Sequence, residues 1–194
     1  MDTPIVGIDY GSKLAGTTVL AIAFEGKIRI EQSLKKKDAD KFIVDTLSAL
    51  PPGKVGLDAP LTLPGVYSNS EDYSDYFYRA CDRELKAMSP MFLGGLTARA
   101  MRLTSQLKKL GWEVGEVYPA ALAKALPLSA YAKTEASSIP EVHLELTSLL
   151  SPLGKLPELL NYHQVDGAVA LLAAYRNATE SGKSIGDAEG LIWI

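Results

Sequence analysis

The chain has 194 residues, 47% of them hydrophobic, which suits one soluble, well-packed domain and is rather short for two. Its net charge of −3 at pH 7 excludes a protein that is basic overall, so contact with nucleic acid would need a local basic patch. The chain has a single cysteine and no signal-peptide pattern, which predicts a cytoplasmic protein. No apolar run approaches the roughly 20 residues that cross a bilayer, so no membrane segment is predicted.

The N-terminal part of the chain predicts an antiparallel unit followed by a parallel crossover. A short apolar run that ends at Asp9 is typical of a buried central strand. Two more strands are predicted within 17–32, joined by the hairpin signal Glu25-Gly26, and the second of them should lie at the sheet edge. A helix over 38–50 then leads to another apolar run, which ends at Asp58 and should lie parallel to the first strand.

The remaining elements complete a single domain over 1–194. The order of strands and helices predicts an α/β protein with a ribonuclease H-like mixed five-stranded sheet flanked by helices, and with a helical and loop insertion around 61–111. The long loop at the start of this insertion, 61–75, is of the kind that is either a functional lid or disordered. The other predicted elements are helices over 79–86, 96–110, 120–126, 141–150 and 164–180, a fifth strand over 113–118, and a last apolar segment over 191–194.

Asp9 and Asp58 both stand where an apolar strand ends. Neighbouring strands of a sheet lie about 4.8 Å apart, so the two carboxylates would be close together if their strands are adjacent. Such a pair repels itself unless it binds a cation, and hard ions such as Mg²⁺ are held by small sets of carboxylates with water and phosphate. The alternative for each residue alone is turn chemistry, because Asp-x-Gly and Asp-Ala-Pro both suit the exit from a strand.

Two further acids could complete such a site. Glu116 lies within the fifth strand, where a carboxylate is costly unless it is paired or bound to metal, and its alternative is a solvated strand face. Asp166 begins an Ala-rich helix whose small residues would allow a close approach to the sheet. The alternative for Asp166 is an N-cap or first-turn acid that the helix dipole favours.

Several other polar residues have an ordinary structural interpretation. Cys81 has no catalytic partner in the sequence and is predicted to be a buried thiol. His163 has no obvious metal partner, although it lies close enough to Asp166 to reach the site, and Asp82 and Glu189 receive no role from their chemistry. Five basic residues could bind phosphate but fit a solvated helix face better: Arg79, Arg83, Lys86, Arg99 and Arg102.

Six short motifs, in order along nearly the whole chain, carry a family resemblance. They are Gly7-Ile8-Asp9, Leu57-Asp58-Ala59-Pro60, Arg79-Ala80-Cys81-Asp82-Arg83, Glu116-Val117-Tyr118-Pro119, Val165-Asp166-Gly167-Ala168 and Glu189-Gly190-Leu191-Ile192-Trp193. In these motifs the chain resembles the DUF429 family of predicted ribonuclease H-like nucleases. Its first strand also resembles, more distantly, that of the RuvC-like and YqgF-like Holliday-junction resolvases.

The resemblance implies a metal-dependent nuclease whose acidic centre consists of Asp9, Asp58, Glu116 and Asp166. It further implies hydrolysis of phosphodiester bonds by a two-metal mechanism with Mg²⁺ or Mn²⁺, in which one ion activates water and the other stabilises the leaving oxygen. Asp9 would bridge the two ions. The partner that the resemblance implies is nucleic acid, either DNA or RNA.

Two other functions stay open at this point. Sugar-kinase and actin-like ATPases begin with a similar strand and Asp-x-Gly turn, which allows a nucleotide-binding or phosphotransfer protein, although those folds need two such domains. A non-catalytic ribonuclease H-like binding module would keep the fold with its acids too far apart to hold metal. The low pI, near 5.5, weighs against tight, nonspecific binding of nucleic acid and so keeps both alternatives open. A homodimer is the expected assembly.

Overall fold

The structure is a computed structural model that describes residues 3–68, 72–126, 128–131 and 136–194. Within these residues, seven strands form one mixed sheet: β1 Ile5–Asp9, β2 Val19–Phe24, β3 Lys27–Gln32, β4 Lys54–Asp58, β5 Glu113–Val117, β6 Ser184–Asp187 and β7 Gly190–Trp193. Their order in the sheet is β3-β2-β1-β4-β5-β7-β6. The predicted α/β fold with a mixed sheet is therefore confirmed, whereas the predicted number of five strands is wrong.

The two additional strands come from the C-terminal segment of the chain. β6 and β7 form an antiparallel hairpin, and β7 also pairs in parallel with β5. β6 has the sequence Ser-Ile-Gly-Asp and is largely exposed, so it lacks the apolar pattern that marks a strand in a sequence. The apolar segment predicted over 191–194 corresponds to β7 and the residue that follows it.

The sheet brings several strand ends to one edge. β2 runs antiparallel to both of its neighbours, β1 and β3, whereas β1, β4, β5 and β7 are parallel to one another. This arrangement, an antiparallel unit of three strands extended by parallel strands, is the ribonuclease H-like order that the sequence predicts. Because parallel strands point the same way, the carboxyl ends of β1, β4 and β5 lie side by side.

Helices cover both faces of this sheet: α1 Ala39–Ser48, α2 Ala80–Leu85, α3 Pro90–Leu93, α4 Gly95–Lys109, α5 Pro119–Ala125, α6 Ile139–Leu150 and α7 Tyr162–Ala178. α7 packs against β1, β2 and β4, and α5 and α6 pack against α7. α1 and α4 contribute to a second apolar core on the opposite face. Burial from both sides explains why β1 is a continuous apolar run. Among the described residues, none of the helices is long and apolar enough to span a membrane.

The approach of α7 to the sheet depends on small residues on both sides. Ala170 of α7 is fully buried, and it lies against Gly7 in β1. A Cβ atom at Gly7 would stand 1.9 Å from the backbone nitrogen of Leu171 and 2.5 Å from the carbonyl oxygen of Gly167. The close approach expected from the small face of this helix is confirmed, and it brings Asp166 towards the strand ends.

The insertion predicted around 61–111 contains a 3₁₀ turn over Gly65–Ser68 and the helices α2, α3 and α4. Residues 69–71 of the predicted loop lie outside the described residues, as do residues 127 and 132–135. α4 belongs to the core under the sheet, whereas α2 packs against β6 and β7. The segment after β4 therefore packs against the sheet through α4 and against the C-terminal hairpin through α2.

Candidate functional site

Asp9 and Asp58 lie opposite each other at the ends of β1 and β4. The two residues are direct register partners in this parallel pair, and neighbouring strands are about 4.8 Å apart. The expected adjacency of these two acids is therefore confirmed. Both residues line a cavity of about 250 Å³, and Glu116 forms part of the same wall.

Asp166 lies near the beginning of α7 and is hydrogen-bonded by a tyrosine. The phenol of Tyr131 donates a hydrogen bond to Oδ1 of Asp166. Burial, and then the charge of Asp166, raise the pKa of Tyr131, so this phenol stays a hydrogen-bond donor at neutral pH. The charges of Asp58 and Asp9 contribute to the same upward shift. All three carboxylates therefore act on one phenol.

His163, near the start of α7, contacts the acid at the end of β1. Its Nδ1 lies 2.8 Å from Oδ2 of Asp9, and 46% of the histidine side chain is exposed. The sequence places His163 within reach of the site but does not indicate this partner, because spacing along a helix does not reveal which strand end the helix faces. A histidine in this position orients the Asp9 carboxylate.

Glu116 lines the same cavity but is engaged by an arginine. Arg79 donates to both carboxylate oxygens, from Nη2 to Oε1 and from Nη1 to Oε2, each at 2.7 Å. The backbone N–H of Leu61 also donates to Oε2, at 2.9 Å. Burial raises the pKa of Glu116, and the hydrogen bonds and charge of Arg79 oppose that shift. The structure thus places Glu116 beside the strand-end acids, within an ion pair.

The prediction that Arg79 lies on a solvated helix face is wrong, because its side chain is fully buried. Arg79 donates hydrogen bonds to Asp82 from Nε at 3.0 Å and from Nη2 at 2.6 Å. It also donates from Nη1 to the hydroxyl of Thr62 at 2.7 Å. Burial lowers the pKa of Arg79, but the hydrogen bonds to Glu116 and Asp82 raise it by more, so the guanidinium stays protonated. Asp82, which sequence reasoning leaves without a role, is the second anion of this cluster.

Two further residues of the family-like motifs support this region. Glu189, in the turn between β6 and β7, accepts hydrogen bonds from the backbone N–H groups of Gly65 at 2.6 Å and Ala80 at 2.9 Å. It thereby joins the C-terminal hairpin to the segment after β4 and to the start of α2. Cys81 is fully buried, and burial raises the pKa of its thiol to about 12. The predicted buried thiol is confirmed, and it is not a nucleophile at neutral pH.

A second charged cluster lies beside the loop between β1 and β2. Asp40 accepts hydrogen bonds from the Tyr10 hydroxyl and from Nη2 of Arg99, both at 2.6 Å. Arg99 also donates from Nε at 3.3 Å, and Arg102 adds a fourth hydrogen bond at 3.2 Å. Burial alone raises the pKa of Asp40, but the hydrogen bonds from Arg99 and Tyr10 outweigh it, and the net shift is downward. These two arginines therefore anchor α4 to α1.

Replacing Asp40 with asparagine is expected to lower the free energy of unfolding by about 2 kcal/mol at neutral pH, because charge-assisted hydrogen bonds are lost. Since the folded-state pKa of Asp40 is lowered, its contribution is complete above the unfolded-state value of about 3.9 and disappears as the pH falls through the folded-state value. Urea unfolding at about pH 7 and about pH 3 should show a smaller difference between wild type and variant at the lower pH.

The matched control for this experiment is Asp45→Asn, which removes an exposed ion pair with Lys41 on the same helix. Its cost should stay below about 0.5 kcal/mol at either pH, because exposed pairs of this spacing contribute little. An effect of Asp40→Asn that is independent of pH would contradict the proposed ionic role of Asp40.

The oxygen donors around the cavity suit a hard divalent cation. Asp9 and Asp58 provide carboxylates from neighbouring strand ends, whereas Asp166, on α7, is not among the residues that line the cavity. Over the ranges that the structure describes, no three His, Cys, Asp or Glu side chains are already arranged as a metal site. Protein donors already contact acids of this set, among them His163 at Asp9 and Tyr131 at Asp166. Asp9 and Asp58, which both line the cavity, are the carboxylate pair that a hard cation could share with water and phosphate.

The chain matches no protein-family model and no curated protein, so its resemblance to the DUF429 family stays a prediction. Solved structures similar to it include RuvC of T. thermophilus in complex with a Holliday junction substrate. That match has a TM-score of 0.48 and 15% sequence identity, and it covers 92% of this chain and 97% of that chain. A likeness of this size transfers no site residue, substrate or activity to this chain.

Proposed function

We propose that this protein is a metal-dependent nuclease that hydrolyses phosphodiester bonds in nucleic acid. The observation that carries the proposal is the register pairing of Asp9 with Asp58 at the ends of two parallel strands, beside one cavity. Ligands of open α/β sheets bind at this edge of the sheet. Asp166 adds a third carboxylate, whose charge acts on the same Tyr131 phenol as the charges of the other two.

The chain's own residues would position the reacting groups. Asp9 and Asp58 would hold the cation, and the contact of His163 with Asp9 would fix the orientation of that carboxylate. Tyr131 would do the same for Asp166. The chemistry supplied by a bound Mg²⁺ or Mn²⁺ is a water of lowered pKa and compensation of the charge on the leaving oxygen.

The lining of the cavity also includes the apolar residues Met88, Leu93 and Leu96. Apolar walls exclude water and strengthen the electrostatic interactions inside a site. They also offer a surface on which the sugar or base next to the scissile phosphate could pack.

Replacing Asp9 or Asp58 with asparagine is expected to lower the rate of phosphodiester hydrolysis by at least about 100-fold, because each change removes a charged metal ligand. The assay uses bis(p-nitrophenyl) phosphate and labelled single-stranded, duplex and junction oligonucleotides with Mn²⁺. Asp45→Asn, the same chemical change at an exposed position away from the cavity, should leave the rate within about twofold of wild type.

Hydrolysis that survives both active-site substitutions would contradict the proposal. Failure of the wild-type protein to cleave any of these substrates would contradict it as well and would favour the non-catalytic binding module. Hydrolysis of ATP instead, lost in the same two variants, would favour a phosphotransfer function. Thermal unfolding of each variant would separate loss of chemistry from loss of fold.

A further inference from the structure

Three aromatic rings form one exposed cluster, which we call the aromatic platform: Phe77, Tyr78 and Phe92. The centroids of the Phe77 and Phe92 rings are 5.7 Å apart, and the Tyr78 ring meets Phe92 edge-on at 5.9 Å. Despite these contacts, 52% of Phe77 and 65% of Phe92 are exposed. Large apolar groups that are exposed together, rather than singly, mark a binding surface.

The aromatic platform lies beside the cavity that contains Asp9 and Asp58. Phe92 belongs to α3, and the next residue, Leu93, lines that cavity. Met88, four residues before Phe92, lines it as well and is 60% exposed. Consecutive Cα atoms are about 3.8 Å apart, so the backbone of Phe92 borders the candidate site. One ligand can therefore reach both the strand-end acids and the platform.

Hydrogen bonds fix the two segments that carry the platform. The hydroxyl of Ser89 donates to the backbone carbonyl of Phe77 and accepts from the N–H of Met91 at 3.1 Å, which joins one segment to the other. Asp75 accepts from the N–H groups of Phe77 at 2.8 Å and Tyr78 at 3.0 Å. Because this backbone is ordered before a ligand arrives, less conformational entropy is lost on binding.

The size and chemistry of the platform fit a nucleobase better than a protein partner. At about 200 Å² for each side chain, the exposed parts of Phe77, Phe92 and Met88 amount to about 350 Å². A stable protein interface needs about 800 Å² on each partner. The guanidinium of Arg83 stacks on the Tyr78 ring at 3.9 Å, and proteins that hold single strands combine aromatic rings and arginine in this way.

We infer that the aromatic platform stacks on an unpaired base of a nucleic acid strand whose phosphodiester lies at the cavity of Asp9 and Asp58. The inference rests on the proposed function and names its substrate class, nucleic acid with unpaired bases. Inside a duplex the face of each base is covered by its neighbours, so a regular duplex offers the platform no surface. Since every base has a π-face, recognition depends little on sequence.

Substitutions at Phe92 test this inference through binding, which needs no hydrolysis. The probes are a fluorescein-labelled oligothymidylate of about 12 nucleotides and a duplex of the same length, measured by fluorescence anisotropy in EDTA. Phe92→Leu keeps an apolar side chain but removes the π-face. We expect it to raise the Kd for the single strand at least about fivefold and to leave the Kd for the duplex within about twofold of wild type.

Phe92→Trp should bind the single strand within about twofold of wild type, because it retains a π-face. It also gives a second readout, since both native tryptophans, Trp112 and Trp193, are buried. The fluorescence of the added tryptophan should be quenched when a base stacks on it. Leu144→Ala, at an exposed position on α6 outside the cavity lining, is the control for lost apolar surface and should bind both probes as wild type does.

A single-strand Kd that is unchanged in Phe92→Leu, or a duplex Kd that rises equally, would overturn the inference and leave the nuclease proposal to its hydrolysis assay. Failure of the wild-type protein to bind the single strand would overturn it as well. So would a wild-type dimer in analytical ultracentrifugation that dissociates in Phe92→Leu, because a second copy would then cover the platform. Binding that depends on Phe92 without any hydrolysis would support the platform and contradict only the proposed function.

Discussion

Replacing Arg79 with methionine is expected to lower the free energy of unfolding by about 3–5 kcal/mol. The substitution leaves two carboxylates, Glu116 and Asp82, buried without the guanidinium that neutralises them. It also leaves Thr62 without its donor. Urea unfolding followed by circular dichroism would measure the loss as a lower midpoint at an unchanged slope.

Arg83→Met is the matched control for this prediction, because Arg83 lies in α2, the helix that begins directly after Arg79, and also pairs with an aspartate. Its partner is Asp75 at 2.6 Å, but 61% of the Arg83 side chain is exposed. Exposed pairs contribute between 0 and about 1 kcal/mol, so the control should cost much less than Arg79→Met. Equal and small costs for both substitutions would mean that the buried acids of the Arg79 cluster find water or other partners.

Replacing Gly7 with alanine is expected to lower the free energy of unfolding by at least about 3 kcal/mol, because the added methyl group has no space. Its Cβ would lie 1.9 Å from the backbone nitrogen of Leu171 and 2.5 Å from the carbonyl oxygen of Gly167. Backbone atoms of a packed helix cannot move aside as a flexible side chain can, so α7 would have to shift away from β1. Thermal and urea unfolding would measure the loss.

Gly95→Ala is the control for the Gly7 substitution. Gly95 begins α4, and a Cβ atom there would meet nothing within 4 Å. The same methyl group should therefore be neutral or stabilise the protein by up to about 1 kcal/mol, because alanine restricts the unfolded chain more than glycine does. A Gly7→Ala protein as stable as wild type would mean that α7 does not pack on β1 at this distance.

The strands and helix that carry the acids could be predicted because burial on both sides has a plain sequence pattern. β1 and β4 are short apolar runs closed by a charged residue, and both are largely buried. The Ala-rich helix predicted over 164–180 is found over Tyr162–Ala178. The pairing of the strands also follows from a general preference, since a strand, helix, strand unit gives neighbouring parallel strands.

The partners of the acids could not be predicted in the same way. Arg79 and Glu116 are 37 residues apart, and Asp9 and His163 are 154 residues apart, so neither pair belongs to a local pattern. A charged residue at the start of a helix looks the same in a sequence whether it faces solvent or the interior. The one available signal is the spacing of Arg79 and Asp82, three residues apart in a family-like motif, which favours an ion pair within one helical turn.

The connection that Glu189 makes with Gly65 and Ala80 has a consequence for how the chain matures on the ribosome. The acids at the ends of β1 and β4 are synthesised early, but Asp166 follows Asp9 by roughly 10–30 s at ordinary rates of translation. Glu189, which accepts the hydrogen bonds from Gly65 and Ala80, is synthesised later still. Nascent chains that stop before Glu189 therefore lack the assembled acidic site, so that a nuclease with this architecture would acquire its activity only after the segment that carries Asp166 and Glu189 has been synthesised.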